Sequence, residues 1–177
     1  MGRHSSTPAD ELLVDWRSDR LGSARRGENP MLMAKVPSGY IVFGDTQQLP
    51  GYCVLLSDVD DADHLTDLDG AQRTQFLADM ALLGDAVFAV CGGRDPAFRR
   101  LNYEILGNSL HHLHAHVHAR YAWEPAEFRK GPVWRYAYED RFAEQHDPLK
   151  SPEAEELDEL KLAITAEIER LIKKAYG

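Results

Sequence analysis

Cysteine is scarce in this chain: Cys53 and Cys91 are the two, both in apolar contexts and without C-x-x-C spacing. That argues against a disulfide framework and for two buried thiols. No apolar run reaches the ~18 residues of a membrane span. The opening M-G-R-H-S-S-T-P lacks the apolar region of a signal peptide. A cytoplasmic protein with no membrane partner is therefore expected. Positive charge is also in deficit, with 20 Lys and Arg against 29 Asp and Glu and a formal net charge of -9. A nucleic-acid polymer, which calls for a broad basic surface, is not an expected partner. A nucleotide is a different matter, because a local site can be positive on an acidic protein.

Internal repeats and a second core are absent as well, so one domain over residues 1–177 is expected. Thr7 as cap, Pro8 at the first helical position and Asp10 and Glu11 in the first turn predict a helix from Pro8 to about Leu21. The polar segment Gly22–Asn29 reads as a loop. Met31–Val36 and Tyr40–Phe43 form a hairpin by pattern around Pro37-Ser38-Gly39, and Tyr52–Leu56 is a third strand. The aspartate-rich stretch Ser57–Asp69 lacks EF-hand spacing and reads as a solvated loop.

A long helix follows from about Gly70 to Val90, its stripe of Phe76, Met80, Leu83 and Val87 ended by Gly92-Gly93. Phe98–Leu106 reads as a fourth strand, and a short strand is expected near Val133–Tyr136. The amphipathic C-terminal helix, about 152–175, carries Leu157, Leu160, Ile164, Ile168, Leu171 and Ala175 on one stripe. It is capped by Ser151.

What the chain does have is histidine in one place. Leu110–Tyr121 reads L-H-H-L-H-A-H-V-H-A-R-Y and holds five of the eight histidines. His112, His114, His116 and His118 alternate with Leu113, Ala115 and Val117, the period of a β-strand, so the four share one face with roughly 7 Å between neighbours. Such a row could be merely structural, at the expense of mutual repulsion on protonation. Two histidines at i and i+2 could instead share a metal ion in a metal-dependent hydrolase, with Asp45 or a loop carboxylate as a further ligand. Or one neutral imidazole could attack phosphorus while its neighbours hold the non-bridging oxygens. That last chemistry needs an acceptor on the second ring nitrogen to fix the tautomer, and a backbone carbonyl suffices.

The run G-N-S-x-x-H-L-H-A-H-V-x-x-R-Y, Gly107–Tyr121, resembles the signature of the histidine triad (HIT) superfamily of nucleotide hydrolases and transferases. The upstream G-D-T-Q-Q-L-P-G-Y-C-V-L-L, Gly44–Leu56, is similar to that family's strand-turn-strand, and the order of elements fits over about 31–121. The resemblance implies an α+β fold: an antiparallel five-stranded sheet, a long helix after the third strand, the C-terminal helix as an extension, and pairing into a homodimer.

It implies His114 as the nucleophile at the α-phosphate and His112 and His116 as its flanking supports. Asn102, Asn108 and Ser109 would hold phosphate oxygens or the leaving group, and Asp45 the ribose hydroxyls. Substrates would be nucleoside phosphoramidates, adenylylated compounds or dinucleoside polyphosphates, the last as in bacterial HIT-like hydrolases. No cofactor or catalytic metal is implied, beyond magnesium carried by the substrate. A nucleotidyl transferase or phosphorylase would use the same first step, and a nucleotide-binding regulatory module is a further alternative. The chain departs from the family at Tyr52, where a histidine is common after Pro-Gly, at His118, where an apolar residue is common, and at Ala119, in place of a frequent proline.

Overall fold

A computed structural model describes residues 15–177. Its helices are α1 (Arg20–Arg26), α2 (Gly70–Arg94), α3 (Ala126–Arg129), α4 (Tyr138–Arg141) and α5 (Ala154–Tyr176). Its strands are β1 (Leu32–Val36), β2 (Gly39–Phe43), β3 (Cys53–Ser57), β4 (Phe98–Glu104) and β5 (His114–Tyr121), in one antiparallel sheet of order β1-β2-β3-β5-β4. This is the expected α+β architecture. The hairpin turns through Pro37 and Ser38, with Val36 facing Gly39. Any side chain at position 39 would drive its Cβ to 1.8 Å from the Leu56 carbonyl oxygen, so glycine is what lets β2 close on β3 there.

β5 is an inner strand, and its alternation sorts the sheet's two faces. Ala115, Val117 and Ala119 are fully buried on one side, with Leu113 just before the strand, in the core that α2 and α5 cover. The histidines lie on the other side. α2 starts at a capping box in which Asp69 accepts from the Gln72 amide at 2.8 Å and Gln72 accepts from the Asp69 amide at 3.0 Å. The helix does not stop at Gly92-Gly93 but runs through them to Arg94. The glycines cost about 1 kcal/mol each in a helix, and the edge-to-face contact of Phe88 with Phe98 at 5.3 Å helps hold the last turns on β4. By length and mean hydropathy α2 could cross a membrane, yet Phe76, Leu83, Ala86 and Val87 are fully buried in the core. Its apolar character is accounted for by packing.

Along α5, Leu157, Leu160, Ile164 and Ile168 are buried against α2 and β1 of the same chain. Each such side chain contributes about 1.5–3 kcal/mol. Cys53 and Cys91 are buried free thiols, as expected.

Other expectations need correction. Most of the N-terminal helix prediction lies outside the described residues. Arg20–Arg26, spanning the end of that prediction and the start of the predicted loop 22–29, form α1 instead, because Asp19 accepts from the Gly22 amide at 3.1 Å and Gly27, at φ 72°, closes the C-terminus. Val133–Arg135 is a 3-10 turn rather than a strand. β4 ends at Glu104, and β5 begins only at His114. Between them the chain leaves strand geometry, and at its end the Leu113 amide donates to the Ala62 carbonyl at 2.7 Å rather than to β4.

Candidate active site

Alternate residues of β2, β3 and β5 floor a cavity of about 530 Å³ on the histidine face: Val42, Val54, Leu56, His114 and His116. The loop Leu106–Leu110 forms one rim. Arg20 of α1, Asp45, and Trp134, Tyr138, Arg141 and Phe142 complete the wall.

His114 is 8% exposed, and its Nδ1–H donates to the His112 carbonyl at 2.6 Å. With that hydrogen fixed on Nδ1, the Nε2 lone pair is left for the cavity. The acceptor is the backbone carbonyl that the chemistry of a phosphorus nucleophile asks for. Burial lowers the His114 pKa, the hydrogen bond to His112 opposes this, and the neighbouring His112 ring and Arg20 push it down again.

His116 meets Tyr52: Oη and Nδ1 lie 2.7 Å apart. Burial, His114 and Arg141 bring the His116 pKa down to about 3, and burial pushes the Tyr52 phenol up. Both groups are thus neutral at pH 7. The phenol, which has no other partner among the described residues, donates its only hydrogen to Nδ1, and this places the His116 hydrogen on Nε2. A neutral imidazole that donates from Nε2 is what a phosphate oxygen requires.

His118 is 4% exposed and stacks on Tyr52, with ring centroids 4.2 Å apart and planes 7° from parallel. Burial, with the nearby His116, Arg120 and Arg141, holds its pKa well below the usual value. Its Nε2 lies 3.9 Å from Glu104 Oε2. That separation exceeds a hydrogen bond, and a neutral ring makes no ion pair. The side chain that the sequence left unassigned is therefore the platform on which Tyr52 lies.

The remaining predicted site residues divide. Asp45 is on the cavity wall, with Oδ2 accepting from Arg20 Nε at 3.1 Å and from Arg20 Nη2. Its Oδ1 has no partner among the described residues. Asn108 and Ser109 are exposed on the rim, near Gly107, whose φ of 67° turns the chain. His112, placed by its period in the strand row, precedes β5, and its ring donates from Nε2 to the Ser57 carbonyl at 2.7 Å. It reaches His114 through its backbone.

Asn102 is not brought into the cavity. It pairs across the sheet with His118, and its Oδ1 accepts from Arg120 Nη1 at 2.6 Å. Arg120 also grips Glu124 from Nε at 3.0 Å and Nη2 at 2.8 Å, and donates to the Gly131 and Phe128 carbonyls. Burial would raise the Glu124 pKa, but the hydrogen bonds from Arg120, the Tyr121 amide and Tyr136 leave it lowered. This network pins residues 124–136 to the end of β5. It thereby sets Trp134, whose indole N–H donates to Glu104 at 2.5 Å and whose ring meets His116 edge-to-face at 5.0 Å. Arg20, Trp134 and Arg141 were missed in the sequence because no periodicity marks them. The density of aromatics after Trp123 was the available signal.

Among the described residues no three His, Cys, Asp or Glu side chains come together in a way that could hold a metal ion. The imidazoles are instead engaged by the Ser57 and His112 carbonyls and by the Tyr52 phenol.

An antiparallel five-stranded α+β sheet, with a histidine strand facing an open cavity and two helices behind, defines the class. Solved structures similar to this fold include histidine triad proteins. One from Bradyrhizobium japonicum matches with TM-score 0.61 and 21% identity over 81% of this chain and 94% of its own. A protein described as a hypothetical histidine triad nucleotide-binding protein, from Sulfolobus tokodaii, matches with TM-score 0.60 and 15% identity over 88% and 94%. A zinc-bound histidine triad family protein from Mycobacterium smegmatis matches with TM-score 0.56 and 16% identity over 86% and 95%. No family model and no curated protein matches the sequence. The chain has the histidine triad fold.

Proposed function

We propose that this chain, as one domain over 1–177, is a histidine triad nucleotide hydrolase that cleaves a phosphoanhydride or phosphoramidate through His114. The reading is carried by the hydrogen bond from His114 Nδ1 to the His112 carbonyl at 2.6 Å, which leaves Nε2 as a neutral nucleophile at a cavity. Nε2 attacks the α-phosphorus, the P–N bond forms, and the bond from phosphorus to the leaving group breaks with its electron pair on the leaving atom. His116 Nε2–H donates to a non-bridging oxygen where charge is held in the transition state. Water then attacks the nucleotidyl-histidine, the P–N bond breaks, and a nucleoside monophosphate departs.

Asp45 Oδ1 accepts from ribose hydroxyls, and the apolar floor of Val42, Val54 and Leu56 takes the base. Asn108 and Ser109 donate to the phosphate or leaving group from the rim. His112 serves as the carbonyl that orients His114. Asn102 has no place on this substrate and acts by holding Arg120. No step is routed through a metal, and magnesium enters only with substrate. A transferase or phosphorylase would share the first half-reaction and differ in the acceptor.

On this reading the enzyme is a cytoplasmic homodimer that pairs through the β4 edge, where Tyr103 is exposed. His114→Ala tests the function: turnover of adenosine 5′-phosphoramidate and of diadenosine tetraphosphate is expected to vanish while the melting temperature holds. Retained turnover in this variant would refute the covalent route.

A further inference from the structure

Several arginines have an anionic partner. Arg20 pairs with Asp45, Arg120 with Glu124, Arg17 with Asp147 and Arg25 with Asp58. Arg141 differs. It closes α4 at the cavity wall, and no carboxylate among the described residues lies within ion-pair distance of it. Its Nε is buried without a hydrogen-bond partner among the described residues. Its guanidinium sits 4.6 Å from the Trp134 ring centroid and 5.4 Å from that of Phe142.

Desolvation lowers the Arg141 pKa, though an arginine stays charged in any protein. The Trp134, Phe142 and Tyr138 rings give some cation–π compensation. They offer no acceptor for the N–H fork. The backbone of Arg141 is fixed independently, since its carbonyl accepts from Thr46 Oγ1. The side chain is thus a positioned, half-desolvated cation with an empty fork, and such a group is matched to a carboxylate or phosphate.

Its place relative to the nucleophile says which anion. His114 and His116 are 4.7 Å apart by ring centroid, His116 and Trp134 5.0 Å, and Trp134 lies under Arg141 at 4.6 Å. The α-phosphate is taken by the two imidazoles, and the guanidinium stands on the wall of the same cavity, its charge felt by His116. A charge there has no use for a leaving group that is an amine.

Building on the hydrolase reading above, we propose that Arg141 is the specificity residue for a phosphorylated leaving group, which makes nucleoside polyphosphates, with dinucleoside polyphosphates among them, the preferred substrate class over phosphoramidates. When the bridging P–O bond breaks, its electron pair stays on the departing phosphate, whose oxygens accept from the Arg141 N–H fork. Trp134 orients the guanidinium from beneath.

Arg141→Met keeps length and apolar packing against Trp134 and Phe142 but removes the charge. Arg141→Lys keeps the charge without the fork. Relative to wild type, kcat/KM of Arg141→Met is expected to fall about 10- to 100-fold more on diadenosine tetraphosphate than on adenosine 5′-phosphoramidate, with Arg141→Lys between the two. Equal losses on both substrates, or none on the polyphosphate, would overturn the proposal. Calorimetric binding of ADP and AMP supplies an arm that needs no turnover. ADP should bind at least tenfold tighter than AMP to wild type, and Arg141→Met should erase that difference. Equal binding of both by wild type would refute the anion site. Preferential ADP binding that depends on Arg141, with no turnover of any adenylylated compound, would leave the site standing and refute the hydrolase reading instead.

Discussion

Removing one oxygen, in Tyr52→Phe, isolates the device that sets His116. The phenol lies 2.7 Å from His116 Nδ1 and stacks on His118 at 4.2 Å. Phenylalanine keeps the stack and the volume and deletes the donor, leaving a buried imidazole nitrogen unsatisfied. Such an orphaned acceptor costs about 1–3 kcal/mol. The imidazole can answer by moving its hydrogen to Nδ1, which turns Nε2 from donor to acceptor at the phosphate. If the whole penalty falls on the transition state, kcat/KM drops roughly 5- to 150-fold, since 1.36 kcal/mol is tenfold. If the ring keeps its tautomer, the cost falls on stability and is seen in the urea midpoint. Nitrogen NMR of the labelled imidazole separates the two, because protonated and lone-pair ring nitrogens differ in shift. Wild-type His116 carrying its hydrogen on Nδ1, or a Tyr52→Phe variant unchanged in both kinetics and stability, would refute this role for the phenol.

Three further outcomes are expected. Because burial and neighbouring groups lower the His114 pKa, the nucleophile stays neutral through the ordinary imidazole range, and kcat/KM should hold level as pH falls through about 6.5 and decline only below it; a half-maximal point at or above 6.5 contradicts this. His114, His116 and His118 all have depressed values, so the unfolded chain binds protons that the folded one refuses. Stability is then full above about pH 6.5 and falls with acidification by up to about 1.4 kcal/mol per pH unit per histidine, continuing towards pH 3 for His116. Urea unfolding at pH 7, 6 and 5 measures it, and a flat series would refute the buried neutral row. Glu124→Gln strands the Arg120 charge, whose side chain is 3% exposed, and should cost about 3–5 kcal/mol by urea unfolding; a loss under 1 kcal/mol would show that the network does not anchor residues 124–136.

Much of this was legible in the sequence because period and punctuation carry physical meaning. Alternation at Leu113–His118 located the two faces of β5, and the stripes of α2 and α5 located what covers the apolar one. The same alternation misplaced His112, since a backbone bond from Leu113 to Ala62 ends the strand one residue pair early, and periodicity is blind to such a contact. Asn102 was assigned to phosphate by motif and lies instead on Arg120, a partnership fixed by cross-strand register. Arg20, Trp134 and Arg141 reach the cavity from irregular or short elements, Arg20 held by Asp45, Trp134 by the Arg120–Glu124 network and Glu104, and Arg141 by Thr46. Their placement depends on tertiary contacts that no local pattern encodes. Tyr52 and His118, read as departures from the motif, are intelligible only together, as a donor and its stacking platform.

Covalent catalysis here requires that His114 Nε2 become bonded to phosphorus. Wild-type protein mixed with adenosine 5′-phosphoramidate or diadenosine tetraphosphate, quenched in alkali where a phosphoramidate bond survives, and weighed intact by mass spectrometry tests it directly. One added adenylyl group per chain, located on His114 by fragmentation and absent from His114→Ala, is the predicted result. Substrate turnover with no adduct at any quench time, or an adduct that persists in His114→Ala, would contradict it.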